Sequence, residues 1–384
     1  MPNSASGFYQ AEQNMTNSSS SVRVMLVDDS VMIRGLIKRM LEPESDIEIV
    51  ASVGNGKLAV ERLKEGGVDV IVLDIEMPVM DGLTALPLLL GVDPNIKIIM
   101  ASTLTLANAE ISIEAMKMGA ADYVPKPTST TKIAGPSDFR SDIIAKIRAL
   151  GGARLRTPER PARVTNVADT RRVVSTKVPG DFQLRPSSAK MPPEIVAIGS
   201  STGGPKALFV VLKNITSVVK VPIVIAQHMP PSFTTILAKH IETSVGRPCA
   251  EAVDGEILEN GRIYLAPGDY HMIVEAQGFK KVLRLNQEAP ENYCRPAVDP
   301  LFRSVANVYG DRVLSVVLTG MGSDGSRGAK VIADAGGTVI AQDETTSVVW
   351  GMPGATAALG VCSAVLPLED VASYINNFVA KGRA

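Results

Sequence analysis

A chain of 384 residues exceeds what one ordinary core uses and calls for two α/β-sized domains with connecting segments. Its 45% hydrophobic and 21% charged residues suit packed cores in water, and a formal net charge of -1 gives no global basic field to draw in nucleic acid. Cys249, Cys294 and Cys362 are odd in number and far apart, so they fit neither a disulfide framework nor a zinc site; they point to a reducing, cytoplasmic setting.

Residues 1–21 lack the basic start and apolar run of a signal peptide and read as a disordered tail. No window reaches the ~18 consecutive apolar residues of a membrane span. From Val22 the pattern alternates strand and helix: VRVMLVDD, VMIRGLIKRML, EIVASVG, LAVERLKEG, VDVIVLDIEM, GLTALPLLLG, KIIMAST, AEISIEAMKMG, ADYVPKP. The strands are nearly continuous Val, Ile and Leu runs, which predicts a doubly wound parallel sheet buried on both faces over 22–150, closed by a helix from Ser137 to Leu150. Residues 151–192 are rich in Arg, Pro, Gly and Ser and read as a linker. Over 193–384 the alternation resumes from EIVAIGSS, interrupted by short strands between Ala250 and Asn286; a second α/β parallel-sheet domain with a small antiparallel insertion is expected.

Functional groups of open α/β sheets gather at strand carboxyl ends. In the first domain those ends carry Asp28 and Asp29, Asp74, Ser102 and Lys126. Three converging carboxylates repel unless a cation lies among them, and hard oxygen donors select Mg²⁺. The metal makes Asp74 a plausible phosphoryl acceptor, with the Ser102 hydroxyl and Lys126 ammonium on the phosphate oxygens. Taken singly, the acidic pair is also an ordinary approach to a helix capped by Ser30, and Lys126-Pro127 an ordinary turn.

In the second domain Gly199-Ser200-Ser201-Thr202-Gly203 lies between a strand and a helix, where N–H groups and the helix dipole favour developing negative charge. A serine there is either a helix cap or a nucleophile. A nucleophile needs a base, and of three histidines His228 ends the strand VPIVIAQ beside that turn; His271 is the second choice, and His240 sits inside a helical pattern. Asp324, in VLSVVLTGMGSDGSRG, fits the third member that orients an imidazole. The same stretch contains Gly320-Met321-Gly322-Ser323-Asp324-Gly325, a dinucleotide fingerprint with Asp343 ending the next strand, although Asp324 carries negative charge into the cradle.

With DIEMPVMDG and the Lys-Pro dipeptide, the first domain resembles the response-regulator receiver family. By that resemblance Asp74 is the phosphorylation site, Asp28, Asp29 and the Glu76 carbonyl hold Mg²⁺, and Ser102 and Lys126 contact the phosphate. With IGSSTGGP, QHMP, YLAPGDYH and LTGMGSDG, the second domain resembles the catalytic domain of chemotaxis protein-glutamate methylesterases. The resemblance makes Ser201 the nucleophile, His228 the base and Asp324 the third member, with Thr202 beside the nucleophile and the Met321 N–H as oxyanion donor. Ser200 and Ser323 depart from the family, which commonly has Ala and often Asn there. The implied activity is phosphorylation-regulated hydrolysis of glutamate methyl esters, with possible deamidation of glutamine, needing no cofactor for the ester chemistry. The implied substrate is a methyl-accepting chemoreceptor and the implied phosphodonor a chemotaxis histidine kinase, with no nucleic acid and no membrane insertion. The alternatives are a receiver-controlled dinucleotide-binding regulator and a non-enzymatic interaction module.

Overall fold

The computed structural model describes residues 21–103, 105–126, 136–156, 182–187 and 191–381. The expected tail, apart from Ser21, and most of the expected linker lie outside these residues.

The first domain runs β1 (Val22–Val27), α1 (Val31–Leu41), β2 (Ile47–Val53), α2 (Gly56–Lys64), β3 (Val70–Asp74), α3 (Gly82–Val92), β4 (Lys97–Ser102), α4 (Leu106–Met118), β5 (Asp122–Pro125) and α5 (Pro136–Arg156). Its strands form one parallel sheet of order β2-β1-β3-β4-β5. The central strand β3 is buried at every position, as a Val-Ile-Val-Leu run between two helical layers requires. Side chains of Ser30, Asn55, Asp81 and Thr105 each accept an N–H of the first helical turn, fixing where α1, α2, α3 and α4 begin. The α5 helix continues past Leu150, the end expected from the sequence, to Arg156. The bare Gly151 instead lies against the Val22 side chain, so the helix packs over β1 there.

The second domain runs β6 (Ile195–Ser200), α6 (Gly204–Lys213), β7 (Ile223–Gln227), α7 (Phe233–Val245), β8 (Cys249–Glu251), β9 (Ile263–Leu265), β10 (His271–Gln277), β11 (Lys280–Asn286), α8 (Val298–Tyr309), β12 (Val313–Val317), α9 (Ser326–Asp334), β13 (Thr338–Gln342), α10 (Met352–Ala358), β14 (Ala364–Leu366) and α11 (Leu368–Lys381). Seven strands make a parallel sheet of order β14-β13-β12-β6-β7-β9-β8. Of the short central strands, β8 and β9 join this sheet in parallel, and only β10 and β11 pair antiparallel as a separate hairpin. Residues 182–187, read as linker, pack on this domain: the Phe182 ring meets Trp350 edge-on at 5.3 Å, and Arg185 N–H donates to Cys362 O at 2.9 Å.

The two domains touch. Helix α4 lies on α6 and α7. Across this contact Tyr123 stacks on Phe233 with ring centroids 4.3 Å apart, and the Lys117 ammonium lies 4.9 Å from the centre of the Phe209 ring.

Candidate functional site

In the second sheet β6 is the first strand in sequence but sits in the middle. Later strands extend from it both ways, so the chain reverses winding between β6 and β12, and such switch points open a crevice at the carboxyl edge. Ser201 follows β6, His228 follows the neighbouring β7, and Asp324 lies beyond β12 on the other side.

The Ser200–Gly203 turn is held from three directions. Ser201 N–H donates to Thr319 O at 3.0 Å, and Thr319 Oγ1 donates to Thr202 O at 2.9 Å. Gln227 donates from Nε2 to the carbonyls of Ser201 and His228, at 3.0 and 3.3 Å, while its Oε1 accepts the Ser200 hydroxyl at 2.7 Å. The two serines are thereby distinguished. Ser200 is fully buried with its hydroxyl bonded inward, whereas Ser201 is part-exposed at the crevice. Gly203 caps α6 at φ +77°, a backbone that L side chains rarely adopt, and its missing Cβ leaves room for Val348. Gly320 is equally constrained, since a Cβ there would lie 2.9 Å from that of Ser201.

His228 N–H donates to Ser200 O at 3.2 Å, tying His228 to the same turn. Its Nε2 lies 2.7 Å from Asp324 Oδ2, and its Nδ1 lies 3.2 Å from Cys294 Sγ. Among the described residues no hydrogen bond joins Ser201 Oγ to His228. Burial lowers the imidazole pKa, but the bonds to Asp324 and Cys294 outweigh it and raise the pKa to about 10. Asp324 is buried and occupies the N-terminus of α8, which has no side-chain cap of its own: Val298 N–H and Asp299 N–H donate to it at 2.6 and 3.1 Å, joined by Gly325 N–H at 2.9 Å. Burial raises its carboxyl pKa; the His228 partner and these N–H groups overcome that and hold it below the usual carboxylate range. Asn292 donates to Asp324 Oδ1 at 2.8 Å and to the buried Asp299 at 3.2 Å.

The other histidines have different surroundings. His271 is buried with both ring nitrogens engaged, to Ala289 O and Ala297 N–H. His240 lies 3.8 Å from Glu110 of the first domain. Met321 packs with Val348 against a cluster shared with the first domain. Asp343 accepts Thr346 N–H and Oγ1, closing its own loop. The Thr202 hydroxyl donates at 2.6 Å to Asp122 of the first domain, and Gly203 N–H donates to Ala121 O at 3.1 Å. The start of β5 thus lies on the turn that carries Ser201.

At the first sheet's carboxyl edge, ligand atoms of Asp28, Asp29 and Asp74 all lie within 4.8 Å of one another. Three carboxylate oxygens at such spacing suit a hard divalent cation. The Lys126 ammonium bridges Asp28 and Asp74 at 2.7 and 2.6 Å. Burial raises the Asp74 pKa, against the pull of Lys126. Glu76 is exposed two residues beyond Asp74. The Ser102 hydroxyl faces α4, 3.2 Å from Ser112 Oγ.

An acidic-edged receiver sheet followed by a parallel-sheet hydrolase domain defines a response-regulator hydrolase. The CheB methylesterase family profile matches residues 196–375, and the response regulator receiver domain profile matches 24–135. A protein-glutamate methylesterase/protein-glutamine glutaminase of Paramagnetospirillum magneticum is 57% identical over 94% of this chain and 97% of its own length. Another of that name from Rhodospirillum rubrum is 57% identical over 92% and 94%. The crystal structure of the Thermotoga maritima CheB methylesterase catalytic domain, 41% identical, covers 49% of this chain and 99% of its own, with a TM-score of 0.48. The chain belongs to the CheB methylesterase family.

Proposed function

We propose that this protein hydrolyses glutamate methyl esters on chemoreceptors, and deamidates receptor glutamine, under control of phosphorylation at Asp74. The observation that carries the reading is the meeting of the Ser201, His228 and Asp324 turns on adjacent strand ends, with the receiver resting on the first of them. Ser201 Oγ attacks the ester carbonyl carbon. With Nε2 committed to Asp324, Nδ1 of His228 is the nitrogen that takes the serine proton and returns it to departing methanol. Asp324 stabilises the imidazolium that forms. The α6 N-terminus and the Met321 N–H stabilise the oxyanion. Water then attacks the acyl-enzyme and releases the carboxylate; with glutamine the leaving group is ammonia.

In the docked arrangement the Thr202 hydroxyl is engaged by Asp122 and Gly203 N–H by Ala121 O, so the receiver sits on the turn that carries Ser201. The resting chain is therefore slow. Asp28, Asp29, Asp74 and the Glu76 carbonyl would hold Mg²⁺, whose charge would offset that of the phosphoryl group. The phosphate, supplied by a chemotaxis histidine kinase in the cytoplasm, draws Lys126 and the Ser102 hydroxyl to itself. Ser102 then leaves Ser112 on α4, the helix that packs on the hydrolase, and docking weakens. No helix of the described residues is long and apolar enough to cross a membrane.

Labelling with a fluorophosphonate serine probe and peptide mapping tests the chemistry. The probe should attach to Ser201; Ser201→Ala should abolish ester hydrolysis, while Ser200→Ala should keep most of it because that hydroxyl faces Gln227. A dead Ser200→Ala variant with an active Ser201→Ala would reverse the assignment.

A further inference from the structure

The turn from Glu291 to Cys294 touches two of the three proposed catalytic side chains at once. Glu291 and Cys294 exchange backbone hydrogen bonds at 3.2 and 2.9 Å, closing a tight turn. Asn292 and Tyr293 at its tip have φ of +51° and +64°, a left-handed conformation that non-glycine residues seldom adopt. That conformation aims Tyr293 outward, fully exposed, and sends its two neighbours to the catalytic residues: Asn292 to Asp324 and Cys294 to Nδ1 of His228. The turn is anchored to α8, whose N-terminus holds Asp324, by the two-pronged pairing of Arg303 with Glu291. Strain persists where surroundings over-determine it, commonly at functional sites. Here it is matched by two contacts that loop closure alone does not need.

We propose that the Glu291–Cys294 turn is a positioning device for the hydrolytic site, in which Asn292 fixes the Asp324 carboxylate and Cys294 fixes the proton-accepting face of His228. The inference rests on the assignment of Ser201, His228 and Asp324. His228 pivots about its Cβ, and Asp324 grips only Nε2; the thiol at Nδ1 supplies the second point that sets the ring plane facing Ser201. Ser201 displaces the weakly bonding thiol when substrate arrives, whereas a stronger partner would be harder to displace. Cys249 and Cys362 are buried, with thiol pKa pushed up to about 12, and take no part. The charged and titratable groups around the imidazole are Asp324 and Cys294 in contact, with Asp299 and Arg303 behind them.

The test is the pH profile of kcat and KM for receptor methyl-ester hydrolysis by the phosphodonor-treated full chain. Cys294→Ala should lower the high-pH plateau of kcat by roughly 10- to 100-fold, the scale of a misplaced reacting group, with KM nearly unchanged. It should also move the acid limb of kcat/KM to lower pH, because the imidazolium loses a hydrogen-bond acceptor. Cys294→Ser, which keeps a partner for Nδ1, should restore most of the plateau and leave the limb near its wild-type position. Asn292→Ala should lower the plateau without raising KM. A limb that stays in place in Cys294→Ala, or a plateau within about twofold of wild type in both alanine variants, overturns the proposal. An unfolded Cys294→Ala leaves the decision to Cys294→Ser and Asn292→Ala: a Cys294→Ser plateau as low as that of Ser201→Ala, or an unaltered Asn292→Ala, is equally fatal. If Ser201→Ala itself remains active, the underlying assignment fails instead.

Discussion

The two hydroxyls of Ser200-Ser201 show how position decides chemistry. Neighbouring residues at a strand end point to opposite sides, so one enters the core and meets Gln227 while the other reaches the crevice. Sequence alone offered both, and the departure from alanine at 200 gave no sign of its partner 27 residues on. Asp324 and His228 were legible as strand-end polar residues; Cys294 and Asn292 were not, because nothing in Asn-Tyr-Cys-Arg marks a left-handed turn that reaches back 66 residues to His228. The raised pKa of His228 makes its own prediction. A group whose pKa rises on folding stabilises the fold below its unfolded value, near 6.5, and that contribution fades as pH climbs toward about 10. The thermal-stability difference between wild type and His228→Gln should therefore shrink across that window. A difference constant from pH 6.5 to 10 would contradict the coupling of His228 to Asp324 and Cys294.

At the scale of elements, hydrophobic runs and strand-helix alternation made both parallel sheets readable, since parallel strands buried on two faces carry continuous apolar sequence. Three element-level features were not readable. Strands β8 and β9 are three residues each, too short to carry periodicity, so their parallel pairing emerged only with the sheet. Gly151 in α5 is a packing feature against Val22. The third is the docking contact, in which α4 and the start of β5 lie on the hydrolase. The Tyr123–Phe233 stack is its aromatic centre. Such a pair contributes about 0.5–1.5 kcal/mol beyond its buried area, and 1.4 kcal/mol is a tenfold change in an equilibrium. Tyr123→Ala should therefore raise the basal ester hydrolysis of the unphosphorylated chain roughly tenfold and leave the phosphorylated rate nearly unchanged. An unaltered basal rate, with Asp74 still accepting phosphate, would mean that this contact does not restrain the enzyme.

For the whole molecule, the account joins a charge change at Asp74 to a crevice in another domain through Ser102, Ser112 and α4. The contact that must loosen comprises the Thr202–Asp122 and Gly203–Ala121 hydrogen bonds, the Tyr123–Phe233 stack, the Lys117–Phe209 pair and the packing of α4 on α6 and α7. One charge-assisted hydrogen bond from Thr202 to Asp122 is worth about 1.5–3 kcal/mol, and the aromatic stack adds the increment above. Shifting a two-state equilibrium from mostly closed to mostly open takes a few kcal/mol, which new phosphate contacts at Ser102 and Lys126 can supply. The direct measurement is methanol release from methylated chemoreceptor membranes by the full chain and by a fragment that begins near Phe182, so that the residues packed on Trp350 and Cys362 are kept. The fragment should run faster than the untreated full chain. A small-molecule phosphodonor with Mg²⁺ should accelerate only the full chain, and Asp74→Asn should remove that response. Equal rates for fragment and full chain, with no phosphodonor response in either, would contradict restraint by the receiver and leave it a tether alone.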